Sequence, residues 1–121
     1  MTKLRFGYLR AMRVRRLMGE AYDDLLKPFD AIATPTRTTV ASPLDKAFRD
    51  AYPDVRGGVS MIGSSNVVGV PAISVPNGFG PAGLPTGLSF VARAFDEAKL
   101  VRIARAYQAR TDWHTRRPEV A

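Results

Sequence analysis

The chain of 121 residues has no cysteine, so disulfides and thiolate ligands are excluded from its chemistry. A single histidine, His114, rules out a histidine-rich metal centre built within it. Long apolar runs are missing too. The uncharged stretch Val59–Val91 is broken repeatedly by Gly, Pro, Ser and Asn, which argues against a transmembrane span. Lys3, Arg5 and Arg10 have no apolar segment between them, so no signal peptide is expected. Acidic residues are scarce: 11 against 18 lysines and arginines, for a net charge of +7. Together with the missing cysteines, this pattern points to a cytoplasmic protein that needs neither cofactor nor metal.

What is present reads as one globular unit over residues 1–121, with a polar tail from about Thr111 that Trp113 could anchor. Lys3–Lys27 has helical periodicity, with Ala11, Val14, Met18, Ala21, Tyr22 and Leu25 on one face and Pro28 as its stop. Asp30–Thr34 reads as a short apolar strand, buried on both faces and interior to a sheet. Ser42-Pro43 suits the start of a short helix reaching about Tyr52, and Met61–Val68 a further helix. Ala72–Val75 and Gly87–Ala92 read as strands joined by a Gly/Pro loop over Asn77–Pro85. A last helix follows Asp96, with Leu100, Ile103, Ala104 and Tyr107 as its stripe. This order implies an α/β arrangement, a short mixed β-sheet covered by helices. Asn66–Val91 holds five glycines and four prolines, so the chain there turns sharply while pinning two strands together.

Four segments then fall in a recognisable order. An Asp-started strand ends in T-P-T (Asp30–Thr36), followed by N-x-x-G-x-P-A-I-S-x-P (Asn66–Pro76), G-L-P-x-G-L (Gly83–Leu88), and F-D-E at Phe95 leading into a helix. Together they resemble the C-terminal portion of the amidase signature family, over roughly Val14–Pro118. The resemblance implies a partial amidase-signature fold and hydrolysis of carboxamide C–N bonds through a Ser–cis-Ser–Lys triad, with backbone amides holding the oxyanion. In the family the catalytic lysine and the Gly/Ser-rich loop precede the matched segments. No catalytic residue is therefore expected in this chain, which is read as inactive alone. The missing N-terminal amidase portion, or self-association, would complete it, and an amide substrate would bind only in the complete enzyme. Two departures stand out: Ser89 where relatives often carry glutamine, and Arg37 where a small or apolar residue is usual.

Several residues invite other readings. Gly63-Ser64-Ser65 superficially matches a Gly/Ser loop, but helix-associated serines bonding nearby backbone explain it better. Lys3, Lys27, Lys46 and Lys99 fall on polar faces or helix ends. Asp23–Asp24 and Asp96–Glu97 are adjacent on helices and diverge. Asn66 reads first as a clamp between a helix end and the Gly69–Pro71 bend, alternatively as part of a substrate pocket. Thr34, Pro35 and Thr36 end a strand, where open α/β sheets place ligands; with Asn66 and Gly69 they form the candidate pocket wall. Two rival functions remain: a small subunit completing a split amidase or amidotransferase, and a basic nucleic-acid-binding module built on the first helix. The second lacks aromatic interleaving or a reader motif.

Overall fold

The computed structural model describes residues 2–52 and 61–117. Its elements are α1 (Thr2–Leu25), β1 (Ile32–Pro35), α2 (Phe48–Ala51), α3 (Ile62–Val68), β2 (Ala72–Phe79), β3 (Pro85–Val91) and α4 (Glu97–Gln108). The strands pair in the order β1-β3-β2. Both pairings are antiparallel, so the sheet within this chain is not mixed as expected, although the α/β class holds. β1 and β2 run in the same direction on either side of β3.

Alternation along β3 gives the sheet two different faces. Val91, with Ile32 opposite, faces a small core formed by Tyr22 and Leu26 of the α1 region and by Met61, Val68 and Val70 around α3. Val75 and Phe90 belong to the other parity and meet α4, which buries Leu100 and Ala104 and sets Tyr107 edge-on to Phe90 at 6.1 Å. The expected stripe of α4 is therefore the one used.

The stripe of α1 is used only in part. Tyr22 is buried and Met18 half-buried, whereas Val14 and Leu25 are exposed, as are Phe6 and Leu9. Among the described residues the buried positions of α1 lie in its second half, against α3 and the Val91 end of β3, and most of its other apolar side chains are exposed. The strand Asp30–Thr34 is likewise not interior. β1 lies at an edge of the sheet with Ala33 and Pro35 exposed.

Two local readings change for identifiable reasons. β2 continues through Pro76 to Phe79, because an edge strand tolerates a residue without an N–H. A bulge between Pro76 and Gly78 absorbs the register slip; Gly78 has φ +136°, and Thr86 Oγ1 donates to Asn77 Oδ1 (2.8 Å) across it. Ser42-Pro43 opens a turn, with Lys46 N–H bonded to Pro43 O, and the helix beyond it is only Phe48–Ala51. The tail anchor is present: half-buried Trp113 meets Phe79 edge-on at 6.4 Å, with the Arg116 guanidinium 4.5 Å above its ring.

Candidate functional site

The sheet register brings hydroxyls together. Thr34 and Ser74 both lie opposite Ser89, and Thr36 follows on the same face, its N–H donating to Gly87 O at 2.8 Å. Thr36 Oγ1 sits 2.6 Å from Ser74 Oγ and 2.8 Å from Ser89 Oγ. A hydroxyl carries one proton and accepts through its lone pairs, so Thr36 donates to at most one of the two serines and accepts from the other. Gly87 makes this closure possible. A Cβ there would lie 2.8 Å from Thr36 Oγ1 and 3.1 Å from Ser74 Oγ. Thr34 and Ser89 are buried beneath the cluster, while Ser74 is exposed at its rim. The cluster lies at the carboxyl end of β1 and alongside the first half of β2.

Beside it the chain leaves β1 as a strap over residues 36–42. Strap and hairpin border an open cleft of about 690 Å³, lined by Thr36, Arg37, Thr39, Val40, Ser42 and Pro85 among others. The strap packs on the hairpin turn at Gly80, where a Cβ would stand 2.7 Å from Val40 Cγ1. The Thr39 hydroxyl is shut off from water and has no hydrogen-bond partner among the described residues.

The other two predicted wall residues lie elsewhere. Asn66 is exposed on α3, and Gly69 (φ +85°) ends that helix in the left-handed conformation. Closure of α3 is made by backbone, with Gly69 N–H and Val70 N–H both donating to Ser65 O (2.8 and 3.2 Å), and not by the Asn66 amide. Gly69 also passes close to α1, where a Cβ would lie 3.3 Å from an Arg15 nitrogen. From Pro71 the chain enters β2 at the Val91 end of β3, whereas Thr36 sits at the Gly87 end, about 13 Å away at the usual rise per strand residue. Thr34, Pro35 and Thr36 thus belong to one corner of the sheet, and Asn66 and Gly69 to the opposite one.

The remaining candidates have structural partners. Ser64 Oγ donates to Met61 O (3.1 Å) and bonds Tyr22 Oη (2.6 Å), and Ser65 is buried. Lys27 pairs with Asp24, and Lys99 with Asp96 (3.0 Å) and Asp30 (3.4 Å). Hydrogen bonding to Asp96, with Asp30 adding to it against partial burial, raises the pKa of Lys99, which keeps it charged and unfit as a base. Asp96 stands at the start of α4, but its carboxylate holds Lys99 in place of a helix N–H. Among the described residues no group of three or more His, Asp or Glu side chains could hold a metal. The hydroxyl cluster and the cleft were not singled out from the sequence. The available signal was that Ser74 and Ser89 share the parity of Thr34 once the strands are paired.

A three-stranded antiparallel sheet with helices on both faces, and a hydroxyl cluster beside the end of β1, defines part of an α/β fold. A family model described as Amidase matches residues 1–101, and the chain belongs to the amidase family. The match begins earlier than the motifs alone suggested. Among relatives, a glutamyl-tRNA(Gln) amidotransferase subunit from Chloroflexus aggregans is 45% identical over 94% of this chain and 23% of its own length. The Ralstonia nicotianae protein of the same name is 38% identical, over 92% and 22%. Among solved structures, native peptide amidase from Stenotrophomonas maltophilia superposes with a TM-score of 0.71 at 30% identity, over 93% of this chain and 21% of that one. The corresponding glutamyl-tRNA(Gln) amidotransferase subunit from Thermotoga maritima gives 0.63 at 32% identity, over 86% and 22%. The chain spans less than a quarter of the length of these relatives.

Proposed function

We propose that this chain is one part of an amide-hydrolysing enzyme. It supplies three strands, the covering helices and a piece of the pocket wall, while a Ser–cis-Ser–Lys triad outside its 121 residues carries the reaction. The observation that carries this reading is the family match over residues 1–101 combined with coverage of only 23% of a relative's length. The charged state of Lys99 and the structural bonds of Ser64 support it. Thr34, Pro35 and Thr36 border the acyl side of the pocket. Asn66 and Gly69, on the opposite corner, contribute to the same wall only through the segment that completes the domain. The unit is cytoplasmic on this reading, in line with its lack of cysteine; no described helix is long and apolar enough to cross a membrane. Purified chain, assayed against a panel of simple primary amides, gives no turnover above buffer. Turnover abolished by replacing one of its own serines contradicts the reading.

A second reading is favoured by the names of the relatives, which are subunits of an amidotransferase. The chain is then a small subunit that completes a separately encoded partner. Co-expression with that partner gives a stoichiometric complex on gel filtration. Separate elution removes this reading.

A further inference from the structure

Helix α1 carries a second apolar stripe that the described fold leaves unused. Tyr22, with Leu26 just beyond the helix, is buried against α3 and the Val91 end of β3. With about 3.6 residues per turn, Phe6, Leu9, Arg13 and Leu17 share the opposite side of the helix at i, i+3, i+7 and i+11, and Arg10 lies beside them. Every residue from Phe6 to Leu17 is exposed. Phe6, Leu9, Arg10 and Arg13 border a groove of about 440 Å³. Its charge is one-sided. Arg16 is held by Glu20 at 2.6 Å, whereas Arg10 and Arg13 meet no carboxylate among the described residues.

This combination narrows what fits the face. A helix lying in a lipid surface keeps its cations off its apolar face, and Arg13 falls in the middle of this one. A second copy seated face to face brings Arg10 and Arg13 of both chains into one seam, and Glu20, the one acid of α1 before Asp23, is already paired. A phosphate backbone suits the arginines but leaves Phe6, Leu9 and Leu17 uncovered. An amphipathic helix with an apolar stripe flanked by carboxylates satisfies both requirements: its apolar side chains fill the groove, and its carboxylates pair with the guanidinium forks.

We propose that the outer face of α1 docks an acidic amphipathic helix of the polypeptide that completes the enzyme. Arg10 and Arg13 pair with its carboxylates, and its apolar stripe covers Phe6, Leu9 and Leu17. The chemistry of the docked helix stands on α1 alone; only its source rests on the amide-hydrolysing reading.

The probe is a designed helical peptide of about five turns, with leucines at helical spacing along one face and glutamates on both flanks. A second peptide carries lysine in place of each glutamate. Isothermal titration against the full 121-residue chain gives the affinities at low and high salt, and circular dichroism establishes that each variant is folded. The glutamate peptide binds about tenfold or more tighter than the lysine peptide, and salt weakens it. Arg10→Glu with Arg13→Glu reverses the preference without lowering Tm, and Leu9→Gln with Leu17→Gln weakens both peptides. Self-association through this face works against its arginines and strengthens with salt, so the two are told apart by sign. Equal affinity for the two peptides, a preference that the reversal leaves unchanged, or no binding by folded chain overturns the proposal. Phosphatidylserine vesicles, duplex DNA or a second copy that displaces the glutamate peptide assigns the face to another occupant and overturns it too.

If the isolated chain does not fold, the charge reversal is made in a fusion, with this chain in place of the matching segment of the Chloroflexus aggregans relative. There Arg10→Glu with Arg13→Glu lowers Tm by a few degrees, and Arg10→Lys with Arg13→Lys does not. A Tm unchanged by the reversal overturns the docking site, and the amide-hydrolysing reading stands if that fusion is active. A fusion destabilised by the reversal yet inactive supports the docking site and counts against the amide-hydrolysing reading.

Discussion

Tyr22 of α1 and Ser64 of α3 are joined by a hydrogen bond of 2.6 Å across 42 residues of sequence. Ser64 spends its single proton on Met61 O, so the tyrosine is the donor. This bond fixes α3 against the buried half of α1 and assigns Ser64 a structural task. Tyr22→Phe and Ser64→Ala each lower stability by about 1 kcal/mol, and the double variant loses clearly less than the two losses added. Chemical denaturation of the four proteins checks this. Strict additivity would show that the pair does not interact.

Gly87 is the second test of the packing. Adding a methyl group at this position brings it against Thr36 Oγ1 and Ser74 Oγ, so Gly87→Ala costs about 1–3 kcal/mol through overpacking. Thr36→Ala in the same protein removes the nearest contact and recovers part of the loss. A melt of Gly87→Ala identical to that of the parent would contradict the hydroxyl cluster.

Lys99 links α4 to the start of β1 through Asp96 and Asp30. Its pKa is raised in the folded state above an ordinary value of 10.5, so its contribution is fully present below that value and is lost as pH rises through the folded pKa. The Tm difference between the parent and Lys99→Met is therefore flat from neutrality to about pH 9 and shrinks at more alkaline pH. The effect is small, since the lysine is partly exposed. A difference that grows with alkalinity has the wrong sign.

The free half of α1 predicts association. Phe6 is 71% exposed and Leu9 56%, and among the described residues β1 is an edge strand of the sheet. Surfaces of this kind are normally covered. Phe6→Gln with Leu9→Lys shifts the isolated chain toward monomer in sedimentation velocity without lowering its Tm, because neither side chain contributes to the described core. A parent chain that is monomeric at high concentration would contradict this.

How far the sequence reveals this molecule differs from element to element. The α4 stripe, the α3 boundaries and the strand cores were legible because one face of each is buried within the chain itself. The α1 stripe and the interior placement of Asp30–Thr34 were not, because Val14, Leu25 and Ala33 are apolar for neighbours that the described residues do not include. Gly78 reads as a loop residue and Pro76 lies past the expected strand end, yet an edge strand absorbs both through a bulge. Of the candidate wall, Thr34, Pro35 and Thr36 were placed at a strand end by pattern alone. The partnership of Thr36 with Ser74 and Ser89 depends on register, which spacing along one strand does not disclose.

The central claim is that these strands and helices complete a reaction chamber whose nucleophile lies elsewhere. The most direct measurement is hydrolysis of a simple primary amide by a fusion in which this chain replaces the matching segment of the Chloroflexus aggregans relative, beside that relative truncated to lack the segment. The account predicts activity in the fusion, none in the truncated protein and none in this chain alone. A folded fusion with no more activity than the truncated protein would contradict it.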